Sequence, residues 1–140
     1  MKIIIQNLQK KIPIYPQRIK KAVLNTLFSE GIKKTGEITI CFVDDKIIRV
    51  LNFRYLGRNR PTDVIAFDIS ENKEQILADI VISTDTAVKN SKAFKTSPLY
   101  EVYLYVIHGV LHILGYDDKT AQQRKVMEYK AQRILKNAHP

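Results

Sequence analysis

The stretch VIHGVLHILGYDD at residues 106–118 places two of the chain's three histidines in an otherwise apolar segment. Across residues 99–114 the polar or semi-polar side chains recur every three or four positions, at Glu101, Tyr105, His108 and His112. This spacing predicts a helix with one polar stripe and aliphatic residues on its other faces, so the helix should be buried on nearly all sides. An unpartnered buried polar group costs about 1–3 kcal/mol, and we therefore expect the stripe to face a partner, a ligand or a cleft.

The histidine pair has the spacing of metal ligands. His108 and His112 are one helical turn apart, so both imidazoles can bind a single ion. Gly115 can take the left-handed conformation that ends a helix, which lets Asp118 return to the same point as a third ligand. Three ligands would leave a coordination position for water or substrate, as in catalytic metal centres. The spacing alone leaves open a simpler alternative, in which two hydrogen-bonded core histidines precede an ordinary glycine cap.

The segment from His108 to Asp118 resembles the signature H-G-x-L-H-L-x-G-Y-D-H of the YbeY family, which comprises single-domain metal-dependent endoribonucleases of ribosomal RNA maturation. The resemblance implies that His108 and His112 bind one divalent ion, zinc, and that Asp118 occupies the position of the family's third histidine ligand. A set of two histidines and one carboxylate could also bind iron or manganese. The ligand spacing is similar to that of metzincin proteases as well, but Gly109 stands where their catalytic glutamate does, which argues against their mechanism.

Residues 55–67, YLGRNRPTDVIAF, resemble a second block of the same family, Y-R-G-K-D-x-P-T-D-V-L-S-F, which lies beside the active cleft. Leu56 replaces the arginine of that block and Ala66 replaces its serine. Arg58 or Arg60 could supply the missing phosphate-directed cation from the neighbouring turn.

No general base is evident in the sequence. Asp117 could orient a ligand histidine, and Asp63 could approach the cleft from the turn before a strand. Thr62 and Asp63 would otherwise be ordinary turn residues.

Length and composition indicate one soluble domain that spans residues 1–140. Of these residues 45% are apolar and 26% are charged, as in globular proteins. Cys41 is the single cysteine, which excludes an internal disulfide bond and suits a small strand residue better than a reactive thiol. The sequence contains no apolar run long enough for a signal peptide or a membrane span, so we expect a cytoplasmic protein.

The net charge of +9 is distributed unevenly along the chain. Residues 1–60 hold 13 Lys or Arg and 4 Asp or Glu, whereas residues 61–140 hold 10 of each class. A basic surface attracts polyanions, which points to nucleic acid as the partner. With the family resemblance, we expect RNA in the form of a ribosomal RNA precursor, and contacts with the ribosomal subunit or its proteins, but neither a membrane nor specificity for DNA.

Hydrophobic periodicity and turn residues predict the secondary structure. Strands are expected at residues 2–6, 37–43 and 77–83, and residues 55–67 are expected to form a basic turn that leads into a further strand. Helices are expected at residues 17–29, 46–55, 86–93, 98–114 and 119–136. We expect the first helix to bury Ile19, Ala22, Val23, Leu27 and Phe28, and the last helix to bury Ala121, Val126, Tyr129, Ile134 and Leu135. These elements indicate an α+β fold: a single layer of mixed, about four-stranded β-sheet packed with about five helices, with the metal site on a central helix.

Together, the resemblance and the charge predict a metal-dependent, single-strand-specific endoribonuclease that acts in ribosomal RNA processing and ribosome biogenesis. Two alternatives stay open. Because Leu56, Ala66 and Asp118 depart from the family pattern, the chain could be a non-catalytic RNA-binding assembly factor whose metal is structural or lost. It could also be a metal-dependent hydrolase of a small molecule or peptide, although the basic charge favours RNA.

Overall fold

Residues 1–138, which the computed structural model describes, form four strands and five helices. In chain order these are β1 (Lys2–Asn7), α1 (Pro16–Ser29), β2 (Thr35–Val43), α2 (Asp45–Leu56), β3 (Val64–Asp68), β4 (Gln75–Ser83), α3 (Thr84–Phe94), α4 (Pro98–Ile113) and α5 (Ala121–Ala138). The elements predicted from the sequence are therefore present, with ends displaced by one or two residues. His139, the third histidine, lies outside the described range. Within that range, no helix combines the length and the apolar character that a membrane crossing requires.

The four strands form one mixed sheet in the order β1-β2-β4-β3. β1 pairs with β2 and β2 pairs with β4 in parallel, whereas β3 pairs with β4 in the antiparallel sense. The backbone N–H of Ser83 donates to the carbonyl of Asp63 at 3.0 Å, which fixes the turn before β3 beside the start of α3. The observed architecture is the α+β sheet that the sequence predicts.

The two faces of the sheet belong to two unequal cores, because successive side chains of a strand point to opposite faces. Every second residue of β4 from Ile76 to Ile82 lies in the larger core, together with residues of α1, α3, α4 and α5. Val81 points to the other face, where it packs with Val43, Ile65 and Ile48 of α2. Cys41 lies half-buried in β2, and burial raises the pKa of its thiol, as suits a strand residue rather than a nucleophile.

The histidine helix α4 is central, because it contacts α1, α3, α5 and the strands β3 and β4. It begins at Pro98, and the hydroxyl oxygen of the preceding Ser97 accepts a hydrogen bond from the backbone N–H of Tyr100 at 3.1 Å. Its residues from 101 to 111 are buried, apart from the half-buried His108. A Cβ atom on Gly109 would lie 2.6 Å from Ile80 Cγ2, so the glycine lets α4 approach the sheet closely.

Parts of two predicted buried faces are wrong. Phe28 is 86% exposed, because it follows Leu27 by one residue and is rotated about 100° away from the buried stripe of α1. On α5, Ala121, Val126 and Tyr129 are exposed. The residues that α5 does bury share the i, i+4, i+7, i+8 spacing of a helical stripe: Met127, Ala131, Ile134 and Leu135.

The start of α5 is fixed by a reciprocal pair of hydrogen bonds that the hydrophobic pattern does not reveal. The backbone N–H of Gln123 donates to Thr120 Oγ1 at 3.1 Å, and Gln123 Oε1 accepts from the backbone N–H of Thr120 at 3.0 Å. This capping box satisfies N–H groups that the first turn of a helix leaves unpaired. The helix therefore begins at Ala121, two residues after the predicted position.

Candidate metal centre

The polar stripe of α4 divides into two halves with different partners. In the N-terminal half, Thr96 Oγ1 donates to Glu101 Oε2 at 3.0 Å, and Asn90 Nδ2 donates to the hydroxyl oxygen of Tyr105 at 2.7 Å. Burial raises the pKa of the Tyr105 hydroxyl, which therefore stays protonated at neutral pH. The polar side chains of this half have hydrogen-bond partners inside the protein. The C-terminal half, with His108 and His112, is therefore the part of the stripe that can bind a ligand.

His108 presents a ring nitrogen that lacks a hydrogen-bond partner among the described residues. Its Nε2 atom is buried and lies 3.5 Å from Glu128 Oε2 of α5, without a hydrogen bond between them. Burial lowers the pKa of His108, against the opposing effect of the Glu128 and Asp63 carboxylates. The neutral imidazole is the form that binds a metal, and an unsatisfied buried nitrogen fits a ligand atom.

The orientation of His112 is set by the turn that follows α4. His112 Nδ1 lies 3.0 Å from the backbone carbonyl oxygen of Tyr116. Because a carbonyl only accepts hydrogen bonds, Nδ1 carries a proton, and in the neutral ring Nε2 then has the free lone pair. Nε2 lies 3.6 Å from Asp118 Oδ2. A ring nitrogen that donates to a carbonyl while the other nitrogen stays available is the usual arrangement of a metal-binding histidine.

Gly115 ends α4 as the sequence predicts. Its φ of +103° is unfavourable for residues with a side chain. The backbone N–H of Gly115 donates to the carbonyl of His112 and that of Tyr116 donates to the carbonyl of Leu111, each at 3.0 Å. These bonds turn the chain back over the end of the helix and bring Asp118 next to His112.

The side chain of Tyr116 anchors this turn to both α1 and α5. The Tyr116 hydroxyl donates to Glu30, which follows the last residue of α1. Lys130 of α5 donates to the same carboxylate at 3.2 Å, and its ammonium lies 5.1 Å from the centre of the Tyr116 ring. We call Glu30, Tyr116 and Lys130 the turn anchor. It holds the carbonyl that orients His112.

The two candidate acidic residues occupy different environments. Asp63 is close enough to His108 for its carboxylate to raise the pKa of that imidazole. Its Oδ1 atom accepts a hydrogen bond from the backbone N–H of Val64 at 2.8 Å. Asp117 is exposed on the turn after α4. Asp63 therefore lies near His108, and its predicted role at the cleft stays a prediction, whereas nothing in the described contacts gives Asp117 the predicted role of orienting a histidine.

Arg58 and Arg60 are both exposed on the loop between α2 and β3. Gly57, with a φ of +70°, ends α2 just before them. The carbonyl of Arg60 accepts a hydrogen bond from Asn52 Nδ2 at 2.9 Å, which ties the loop to α2. Neither guanidinium forms an ion pair with a residue in the range 1–138, so both charges face solvent.

The three predicted ligands do not form a closed set. Among residues 1–138, no three His, Cys, Asp or Glu side chains are arranged to hold one ion. His108 faces Glu128 and His112 faces Asp118, so each imidazole lies opposite a different carboxylate. The donors nevertheless fit a divalent metal, since both imidazoles offer Nε2, and the Asp118 side chain is exposed enough to rotate. The metal centre stays a prediction.

Glu128 is a candidate that the sequence analysis did not single out. It lies on α5, ten residues after Asp118, and reaches His108 only because α5 packs against α4. One signal was available: it is the single acidic residue among residues 119–140, which hold six Lys or Arg. An isolated carboxylate in a basic helix is a reason to ask what it faces.

Comparison with known proteins agrees with the two motifs. The family model described as Endoribonuclease YbeY matches residues 4–139. An Endoribonuclease YbeY of Desulforamulus reducens is 37% identical over 146 residues, with 96% of this chain and 95% of the relative covered. An Endoribonuclease YbeY of Syntrophus aciditrophicus is 38% identical over 142 residues, with 96% and 88% covered. These names favour neither an assembly factor without catalysis nor a hydrolase of small molecules or peptides.

A protein of Thermotoga maritima with a known solution structure shares the fold. The TM-score is 0.61 at 21% sequence identity, with 96% of this chain and 90% of the other covered. At this identity the likeness concerns the arrangement of sheet and helices alone. The evidence for the family is the model match over nearly the whole chain and the two relatives above 30% identity. The chain therefore belongs to the YbeY family of endoribonucleases.

Proposed function

We propose that this protein is a metal-dependent endoribonuclease that cleaves single-stranded RNA in ribosomal RNA processing and ribosome biogenesis. The observation that carries the proposal is the pair of Nε2 atoms on α4. That of His108 is buried without a hydrogen-bond partner among the described residues, and that of His112 keeps its lone pair because Nδ1 donates to Tyr116. Two such nitrogens one turn apart support a metal centre more than a pair of satisfied core histidines.

In this proposal His108, His112 and Asp118 hold one divalent ion, which we take to be zinc, with iron or manganese as the other choices for a two-histidine, one-carboxylate set. When bound, the ion would polarise a phosphate oxygen and lower the pKa of a water molecule or a ribose hydroxyl. The turn anchor supports the set by fixing the carbonyl that orients His112. Asp117 would orient a ligand histidine from outside the ligand set.

Glu128 is our candidate for the proton acceptor. Its Oε1 atom accepts a hydrogen bond from Gln132 Nε2 at 2.8 Å, while its Oε2 atom faces His108. Asp63 is the alternative, but its Oδ1 atom is held by the backbone of Val64 and accepts from Thr62 at 3.2 Å. Each carboxylate has one oxygen held by hydrogen bonds, but among the described residues only Glu128 brings its other oxygen within 4 Å of a ring nitrogen of His108, so Glu128 is better placed to take a proton.

Arg58 and Arg60 would contact the phosphates of the RNA from the α2–β3 loop. Their guanidinium groups are exposed and lack ion-pair partners within residues 1–138, so they can bind phosphate oxygens in the bidentate geometry that arginine favours. The substrate would be a ribosomal RNA precursor in the cytoplasm, bound alone or together with a ribosomal subunit or its proteins.

Metal analysis of the purified protein, paired with an RNA cleavage assay with and without chelator, tests this function. We expect one equivalent of metal, cleavage of single-stranded RNA, and loss of cleavage on chelation that zinc restores. His108→Ala and His112→Ala should remove both metal and cleavage. Cys41→Ser is the matched control, because it removes another strong zinc ligand that lies in β2, in contact with the core under α2. Equal, low metal content in all four proteins under zinc-replete conditions would show that the centre is wrongly placed.

A further inference from the structure

A broad groove runs between α1 and α5, outside the candidate metal centre. Its volume is about 770 Å³. Phe28 of α1 and Tyr129 of α5 line it, with exposed fractions of 86% and 63%, and Val126 and Ile134 supply further apolar surface. Two aromatic rings exposed to this degree on neighbouring helices offer flat faces that the fold itself does not use.

The charge around these rings is positive. Lys125, Lys130 and Arg133 line the same groove, and Glu30 is the one acidic residue among its lining residues. The guanidinium of Arg133 lies 5.7 Å from the centre of the Tyr129 ring. Residues 119–140 as a whole hold six Lys or Arg and one Glu. A second copy of this chain would bring like charges together in the groove, whereas a polyanion would neutralise them.

The groove shares two lining residues of α5 with a second groove that includes Glu128. A shallower groove of about 670 Å³ is lined by Arg124, Lys125, Glu128 and Tyr129. Glu128 is the residue whose carboxylate lies 3.5 Å from His108 Nε2. Lys125 and Tyr129 line both grooves, so they lie between the surface that includes Glu128 and the surface that includes Phe28. A strand bound at the histidines can therefore follow α5 to the aromatic rings.

We propose that the α1–α5 groove binds the unpaired nucleotides that flank the cleavage site, with bases stacked on Tyr129 and Phe28 and phosphates on Lys125 and Arg133. This inference rests on the proposed function and adds to it a second contact region for the same strand. Stacking on exposed aromatic rings is available only to unpaired bases, because a duplex buries its base faces. The groove therefore selects for single-stranded RNA, independently of the metal centre.

Binding of fluorescein-labelled oligouridine of about 12 nucleotides, measured by fluorescence anisotropy in the presence of EDTA, tests the proposal. Tyr129→Ala should weaken binding of the single strand by about tenfold, and Phe28→Ala should act in the same direction. Neither variant should change the affinity for an RNA duplex of equal length by more than about twofold, because stacking does not contribute there. Oligouridine that carries thiouridine should photocrosslink to peptides from α1 and α5.

Phe94→Ala is the matched control, since Phe94 is a 66% exposed aromatic residue at the end of α3 that does not line the groove. If Tyr129→Ala binds the single strand as tightly as Phe94→Ala does, or loses affinity for the duplex equally, the groove does not stack bases and the proposal is wrong. If Tyr129→Ala changes the sedimentation from dimer to monomer and leaves the RNA affinity unchanged, the groove binds a second copy of the chain. That result would also overturn the proposal.

The measurement separates this inference from the proposed function. EDTA removes the metal, so the anisotropy assay detects binding whether or not the protein cleaves RNA. Suppose that RNA binding depends on Tyr129 but that the protein cleaves no RNA in the presence of zinc. The inference about the groove would then stand, and the proposed nuclease activity would be contradicted. Cleavage without any dependence of binding on Tyr129 would do the reverse.

Discussion

Asp118 is the residue at which the chemistry of this chain departs most from the family signature that its sequence resembles. A carboxylate in place of a histidine adds a negative charge to the ligand set, which makes a bound ion a weaker Lewis acid. Asp118 Oδ2 lies 3.6 Å from His112 Nε2, on a turn that Gly115 and Tyr116 hold in place. The position is therefore suited to a ligand of either type.

We predict opposite effects for two substitutions at this residue. Asp118→His should keep the metal and raise the rate of RNA cleavage at neutral pH, because a neutral ligand strengthens the Lewis acid. Asp118→Ala should weaken zinc binding by at least about tenfold, since even partners that only orient a ligand contribute that much. Zinc affinity from competition with a chromophoric chelator, and cleavage of a labelled RNA, measure both effects.

Asp68→Ala serves as the control for Asp118→Ala, because Asp68 is an exposed aspartate at the end of β3. If Asp118→Ala keeps the zinc affinity and the activity of the Asp68→Ala variant, the third ligand lies elsewhere. Glu128, opposite His108, would then be the first residue to test.

Sequence reasoning reaches the histidines but not Glu128, for a physical reason. His108, His112 and Gly115 belong to one helix and its cap, so their relative positions follow from helical geometry alone. Glu128 reaches His108 from another helix, and that contact depends on the rotation of α5 about its axis. The sequence analysis assigned Val126 and Tyr129 to the buried side of α5, and that rotation conceals what Glu128 faces.

At the scale of elements, α2 and α3 begin beside each other and stabilise each other's first turns. Asp45 Oδ1 accepts hydrogen bonds from the hydroxyls of Ser83 and Thr86, and its Oδ2 accepts from Lys89 at 2.7 Å. In return, Asp85 Oδ2 accepts from the backbone N–H of Asp45 at 2.9 Å. Both carboxylates lie in the first turn of a helix, where the helix dipole favours negative charge.

This arrangement predicts a pH-dependent stability with a definite sign. Burial opposes ionisation of Asp45, but the hydrogen bonds from Lys89, Ser83 and Thr86 outweigh it and lower its pKa below 3.8. The hydrogen bond from the backbone of Asp45 lowers the pKa of Asp85 as well. The two carboxylates therefore bind protons more readily in the unfolded chain. This stabilisation is complete above pH 3.8 and is lost as the pH falls through the lower pKa values of the folded state.

Urea unfolding of wild type and Asp45→Asn across the acidic range checks this prediction. We expect the variant to be less stable by about 1 kcal/mol near neutral pH and the difference to shrink as both carboxylates protonate. Glu71→Gln, an exposed carboxylate in the β3–β4 turn, is the control and should show no such trend. A difference for Asp45→Asn that stays constant down to the acid unfolding transition would contradict the assigned role.

The elements themselves are predictable because their signals are local. Alternating apolar residues, Ser97 before Pro98, and glycine after α2 and α4 mark strands and helix ends within a few positions. The capping box at Thr120 is equally local, and the pattern Thr-x-x-Gln could have placed the start of α5. On α5, Ile134 and Leu135 are buried as predicted, but the rest of the buried stripe was missed because it includes the small Ala131, while Val126 and Tyr129 look more apolar.

At the scale of the whole molecule, the net charge of residues 61–140 conceals an acidic and a basic region. Residues 61–140 are neutral in total, but residues 61–118 hold 4 Lys or Arg against 9 Asp or Glu, and residues 119–140 hold 6 against 1. The basic surface therefore includes α5 as well as the first sixty residues. The histidine helix α4 packs against both α5 and the sheet, so the cations of α5 lie on an element next to the candidate site.

Salt dependence of RNA binding tests this distribution. The logarithm of the affinity for oligouridine should fall linearly with the logarithm of the salt concentration, with a slope of about 0.7 for each phosphate that a cation neutralises. One double variant combines Arg58→Gln with Arg60→Gln, and a second combines Lys125→Gln with Arg133→Gln. Each should lower the slope by about 1.4. Lys73→Gln, Lys92→Gln is the control pair of exposed lysines and should leave it unchanged. A wild-type affinity that does not respond to salt would exclude phosphate contacts.

The turn anchor also ties the assembly of the site to the order in which the chain folds. Tyr116 and Glu30 are 86 positions apart in sequence, and Glu30 and Lys130 are 100 apart. Contacts between such distant positions form late, because the entropy of closing a long loop must be overcome before they contribute. During synthesis α5 leaves the ribosome after the other described helices, so Lys130 can join Tyr116 and Glu30 only once α5 has emerged. A nascent chain from which α5 has not yet emerged therefore has both histidines but an incomplete turn anchor.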